Sequence, residues 1–97
     1  MVFNSIGSGT TKTLKVCWGF KSYGKTISGS SSGYDTITFA TGFYSTIHSC
    51  IVCSRGSQSI FARIQEEPTL TQVAIVYKNT VNTAHSIEGA YYIIIGL

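Results

Sequence analysis

The side chains able to do acid–base, nucleophilic or metal chemistry are few. The carboxylates are Asp35, Glu66, Glu67 and Glu88, the imidazoles His48 and His85, and the thiols Cys17, Cys50 and Cys53. Glycoside cleavage needs two carboxylates facing one substrate. Glu66 and Glu67 are neighbours before Pro68 in a turn and point apart if that turn is extended. Serine or threonine hydrolysis needs a base and an orienting acid beside the nucleophile. His48 falls in an apolar strand and His85 in a polar loop, and neither belongs to a recognisable motif. A phosphate-cradling glycine turn must open a helix, and no helix is expected anywhere. Gly7-Ser8-Gly9 reads as a linker. The chain is therefore expected not to be an enzyme.

The cysteines allow two sharper readings. Cys50-x-x-Cys53 has redox spacing, but the redox motif normally opens a helix. Cys17, His48, Cys50 and Cys53 are also four zinc-ligand types. In a strand, however, His48 and Cys50 share one face while Cys53 takes the other. Reduced thiols acting as small hydrophobes are the expectation, with no metal and no cofactor.

Alternating and apolar runs separated by turn residues supply the framework. Residues 14–20 alternate, with Leu14, Val16, Trp18 and Phe20 on one face and Lys15, Cys17 and Gly19 on the other. Trp18 is expected to anchor the core, or else to offer a sugar-stacking platform. Residues 22–34, rich in Gly and Ser, read as a loop. Further strands are expected at 35–40, with Ile37 and Phe39 inward, and at 47–53, 60–65, 70–77 and 88–97. The turn at 41–46 is expected to tuck Phe43 beneath it. Residues 54–58, 66–69 and 78–86 are the remaining connections. The last strand, Tyr91-Tyr92-Ile93-Ile94-Ile95, is apolar on both faces of its pleat. One face fits the core of a small domain. The other needs a second cover, and a neighbouring subunit is one candidate. The fold class expected is all-β, a small antiparallel β-sandwich or open barrel of about six strands.

Composition agrees. Charged residues make up 11% of the 97-residue chain, against about 25% in ordinary soluble domains. Ser, Thr, Gly and Asn replace them, giving a polar, uncharged, β-prone surface. Such surfaces suit extracellular and virion proteins that touch sugars or one another. The net charge of +3 comes from basic residues scattered from Lys12 to Lys78. A nucleic-acid binder gathers them into a patch. The N-terminus has neither a basic start nor an apolar core, so no signal peptide is expected. The closing apolar run is too short to cross a bilayer as a helix, which takes about 20 residues.

Three landmarks follow in order: Leu14-x-x-x-Trp18-Gly19, then Ile37-Thr38-Phe39-Ala40-Thr41-Gly42-Phe43, then Tyr92-Ile93-Ile94-Ile95-Gly96. In that order and spacing the chain resembles the C-terminal (tip) domain of tail fibres from tailed bacteriophages and prophages. That family shows a Trp-Gly strand, a Thr-Phe-Pro-x-x-Phe segment and a terminal aromatic-Ile-x-Ile-Gly strand. Here Ala40 replaces the family's proline, and a second proline expected near Ile47 is missing. The resemblance implies a sandwich domain over 14–97 and a flexible lead-in, the end of a fibre shaft, over 1–13. It further implies a homotrimer attached to the remainder of the fibre. The protein would be made in the host cytoplasm and act on the virion as an adhesin. Its receptor would be a bacterial surface glycan such as lipopolysaccharide, or an outer-membrane receptor. The alternative within that family is a trimerisation cap with no receptor site of its own.

Chain direction then predicts a site. If the shaft enters at the N-terminus and successive elements are antiparallel, residues 22–34, 54–58 and 78–86 lie at the distal end, whereas 41–46 and 66–69 lie near the shaft. The distal set carries Lys21, Tyr23, Lys25 and Tyr34, then Arg55 and Gln58, then Lys78, Asn79, Asn82 and His85. Those residue types suit phosphorylated or acidic sugars, through charge-assisted hydrogen bonds and ring stacking.

Overall fold

A computed structural model describes residues 2–4 and 11–97, with side chains from Thr13 onward. Eight strands follow in order: β1 (Val2–Asn4), β2 (Thr11–Thr13), β3 (Lys15–Ile27), β4 (Ser32–Thr38), β5 (Ile47–Gly56), β6 (Ile60–Ile64), β7 (Gln72–Asn79) and β8 (His85–Gly96). The first two pair with each other as an antiparallel ribbon, within the region expected as a flexible lead-in. The Gly7-Ser8-Gly9 linker lies outside the described residues.

The other six strands form two three-stranded antiparallel sheets, β3-β8-β5 and β4-β7-β6, not closed into a barrel. They stack around Ile27, Ile37, Ile60, Val73, Ile75, Tyr77, Ile87, Ala90 and Ile94. The terminal strand is central in its sheet because it is the most apolar. On the inner side, Ile94 is fully buried and Tyr92 packs against the core. Leu97 is fixed beyond the strand end: its carbonyl accepts from the backbone N–H groups of Ser45 (2.6 Å) and Thr46 (3.2 Å).

Three expectations are corrected. Val16, Trp18 and Phe20 point away from the core, and Trp18 is 73% exposed. Trp18 is thus not a core anchor. The inner positions of β3 are Cys17, Gly19 and Lys21, which pair with Ile94, Tyr92 and Ala90. The Tyr92 ring lies across Gly19, so closely that a Cβ there would come within 2.9 Å of its hydroxyl oxygen. Tyr92 takes the volume that Trp18 was expected to fill.

The plug of the 39–46 connection is Tyr44, not Phe43. Tyr44 is 2% exposed and donates its hydroxyl to the Ile94 carbonyl at 2.7 Å. Phe43 stands edge-on to it from the surface, with ring centroids 4.7 Å apart.

Most of 22–34 is strand rather than loop. β3 continues to Ile27 through a bulge between Ser22 and Lys25. Gly24 supplies the positive φ of 63° that the bulge needs. The loop proper is only 28–31.

Candidate functional site

Register fixes which ends meet. Lys15, Gly96 and Ile47 align at one end of their sheet, and Ile27 aligns with His85 at the other. In the second sheet, Ser32 and Ile60 align with Lys78 and Asn79. The connections 28–31, 57–59 and 80–84 therefore cluster at the end opposite Lys15. The 41–46 and 66–69 turns lie at the Lys15 end.

The three clustered loops are stitched to one another. The Ser30 N–H donates to the Val81 carbonyl at 2.7 Å, and the Thr80 N–H to the Ser59 carbonyl at 3.0 Å. Asn79 is the knot. It is fully buried, and its Nδ2 donates to the carbonyls of Ile27 (3.1 Å), Ser28 (3.2 Å) and Thr83 (2.9 Å). Its Oδ1 accepts from the Val81 N–H at 3.2 Å. An asparagine's hydrogen-bonding capacity is almost all used there. Asn79 thus holds the loops together and presents nothing to solvent.

Of the remaining nine expected residues, Lys21 stands at the middle of β3 and the other eight lie toward that end of the molecule, on no one surface. Gln58 and Asn82 are exposed in loops, and half-buried His85 opens β8, with its Nε2 3.1 Å from the Thr83 hydroxyl. Lys21, Tyr23 and Lys25 follow the β3 edge. Tyr23 packs its ring on Tyr77 at 4.7 Å, and the Lys25 ammonium stands 5.1 Å over Tyr23. Tyr34 and Lys78 lie on the outward face of β4-β7-β6. Arg55 belongs to the other sheet. Its Nε meets Glu88 Oε2 at 2.6 Å, its Nη1 donates to the Tyr91 hydroxyl at 3.2 Å, and its guanidinium stands 5.6 Å from the Phe20 ring. Both members of that ion pair are more than half exposed, so it contributes little stability. It does leave Arg55 charge-neutralised.

Two surfaces lie outside the predicted loop set, the first of them including the outer face of the terminal strand, expected to need a second cover. The outward face of β3-β8-β5 carries aligned apolar rows: Val16 beside Ile95, Trp18 beside Ile93 beside Ile51, and Phe20 beside Tyr91. Trp18, Ile51, Tyr91 and Ile93 are each roughly half to three-quarters exposed. The outward face of β4-β7-β6 carries Phe61 and Arg63 beside Lys78 and Val76. Alternation in Ile60-Phe61-Ala62-Arg63-Ile64 carried that signal, since Phe61 and Arg63 must share the face opposite the core residues Ile60, Ala62 and Ile64.

A cleft of about 220 Å³ lies at the Lys15 end, lined by Ile47, His48, Ser49, Cys50, Ile64, Glu67 and Pro68. It holds a thiol, an imidazole and a carboxylate. Burial pushes the Cys50 thiol pKa up, which favours the poorly nucleophilic protonated form. Among the described residues no hydrogen bond links His48 to Glu67, Ser49 or Cys50, and no three His, Cys, Asp or Glu side chains gather as a metal site. Cys17 and Cys50 face inward on either side of Ile94. Two strand spacings set them ~10 Å apart, beyond disulfide reach. Cys53 faces outward beside Tyr91, and all three thiols are free.

Comparison of the chain with protein-family models, curated proteins and solved structures returned no match.

Proposed function

We propose that this chain is a non-enzymatic tip adhesin of a tailed-phage fibre. In this reading it is a homotrimer assembled through the outward face of β3-β8-β5, and it binds a glycan on the bacterial surface. The observation that carries the reading is that apolar face. Strands ~5 Å apart and rows ~7 Å apart give it a footprint of roughly 300 Å², within the range of the largest apolar patch on a single chain, which is often functional. Its one ion pair, Arg55 with Glu88, stands at its rim. An apolar centre with a polar rim is the anatomy of a protein–protein contact. The number three comes from the fibre resemblance, carried by Trp18-Gly19, the Phe39 segment and the terminal strand. The resemblance also supplies a shaft entering at the Lys15 end, which leaves the 28–31, 57–59 and 80–84 loops outermost on the virion.

The test is binding of the isolated protein to a panel of Gram-negative bacteria, with and without their lipopolysaccharide removed. Binding to some strains that falls on removal supports the adhesin. A folded trimer that binds no strain contradicts it and favours the trimerisation cap. One observation favours the cap: the distal loops are spent on hydrogen bonds to each other through Asn79 and Thr80, and the cleft lies at the opposite end.

A further inference from the structure

We propose that the outward face of β4-β7-β6 is a binding platform for an acidic polysaccharide. The proposal rests on the adhesin reading for its biological setting; of the residues that carry it, Tyr34 and Lys78 belong to the expected distal set, whereas Phe61 and Arg63 do not. Two rows of this face matter. Tyr34, Val76 and Arg63 align in one, and Ser32, Lys78 and Phe61 in the next. Tyr34 is 59% exposed and Phe61 61%. They stand on the two edge strands, ~12 Å apart by strand and row spacing. Val76 between them is only 6% exposed, so neighbouring atoms cover it.

Lys78 and Arg63 occupy the opposite corners of the same four-residue figure, ~8 Å apart. Among the described residues neither has a carboxylate partner, because the ion pair present is Arg55 with Glu88 on the other sheet. Lys78 spends one donor on the Ser30 carbonyl at 3.3 Å and keeps its charge. No carboxylate stands on the outward positions of these three strands. Asp35 has inward parity, and Glu66 and Glu67 lie beyond the end of β6. The face thus pairs two stacking surfaces with two uncompensated cations, flanked by the hydroxyls of Ser32 and Thr36.

Aromatic faces take the apolar C–H faces of pyranose rings, and cations take carboxylate or phosphate with charge-assisted bonds. A neutral glycan would leave Arg63 and Lys78 unused. A single-stranded nucleic acid would need a basic groove following its backbone, and this face offers two cations only. The contrast with the other sheet is chemical: its outward face is apolar and its one cation is already paired.

Binding to immobilised polygalacturonate, a phosphomannan and neutral dextran, with poly(dT) as the competing class, decides the matter. The expected result is binding to one or both acidic polymers that weakens as salt rises, and none to dextran. Tyr34→Ala with Phe61→Ala is expected to weaken it about tenfold, and Arg63→Gln with Lys78→Gln by a similar factor. All four side chains are exposed, so each pair should keep the parent melting temperature. The two pairs act through different chemistry, so either alone can refute the platform. Unchanged binding by a folded pair, equal binding to dextran, tighter binding to poly(dT), or no acidic polymer bound would each overturn the proposal. Adsorption of the parent to bacteria is measured separately. If cells are bound equally by the parent and by both pairs, the platform fails and the adhesin stands. If acidic polymer is bound but no cells are, the adhesin fails and the platform stands.

Discussion

Two buried polar side chains on β7 obey opposite rules. Asn79 has nearly every hydrogen-bonding position filled by backbone from two segments, 27–28 and 81–83. Removing it takes a donor from the carbonyls of Ile27, Ser28 and Thr83 and the acceptor from the Val81 N–H; the Ser28 carbonyl keeps the Ser31 N–H at 3.2 Å, and each group left stranded costs ~1–3 kcal/mol. Asn79→Ala is therefore expected to destabilise the fold by about 3 kcal/mol or more, read as a lower denaturation midpoint in urea. The Tyr77 hydroxyl, by contrast, is buried with no partner among the described residues. Tyr77→Phe is expected to leave the melting temperature unchanged or raise it. Tyr44→Phe, which loses the bond to Ile94, should cost ~1 kcal/mol.

The same Tyr77 sets the alkaline limit. Burial, with Asp35 and then Tyr23 adding to it, pushes the Tyr77 pKa up to about 12. Burial also raises Tyr44 and Tyr92. A raised folded pKa means stability that is full below the ordinary tyrosine value and lost as pH climbs through the folded one. Stability should thus fall between about pH 10 and about pH 12, and Tyr77→Phe should flatten part of that fall. A parent protein whose stability does not change over that range would contradict this.

At the scale of elements, β3 shows what a linear sequence can and cannot say. Its alternation correctly puts Val16, Trp18 and Phe20 on one face. Alternation does not say which face is inside, and size suggests the wrong answer. The deciding fact is non-local: Tyr92 on the partner strand needs the space above Gly19, so the Trp side turns out. The second half of the strand is hidden by Gly24, Lys25 and Thr26, which read as part of a loop over 22–34. They are a bulge, held in the sheet by pairing of Lys25 to Ile27 with His85 to Ile87. Gly24 has open space around it but a positive φ. Gly24→Ala should therefore cost ~1 kcal/mol through backbone conformation alone, whereas Gly19→Val should cost more by displacing Tyr92. Turn chemistry is more legible. Gly56, Pro68 and the Ser30 region mark real connections, and antiparallel order sorts them to the correct ends. The site is less legible because strand ends, not loops, carry most of its charged and aromatic side chains. Neither Asn79's burial nor Arg55's neutralisation by Glu88 shows in a linear reading.

The whole molecule has two unlike flanks. One sheet turns an apolar face outward, and the other an aromatic face with two unpaired cations. In a fibre-tip adhesin, the first would meet other copies of the chain and the second would meet ligand. Adjacent residues of the terminal strand separate folding from assembly. Ile94 is fully buried within the chain and Ile93 is 45% exposed on the outward face. Ile94→Asp should abolish folding, since a lone buried charge costs several kcal/mol. Ile93→Asp should leave a folded chain and place a charge in the middle of the Trp18–Ile93–Ile51 row.

Sedimentation equilibrium of the parent and of Ile93→Asp, at micromolar concentration and with circular dichroism to confirm folding, tests most directly whether the apolar face assembles the chain. The expected result is three times the chain mass of 10.5 kDa for the parent and a folded monomer for the variant. A parent that sediments as a stable monomer, or a variant that keeps the parent's assembly, would contradict it.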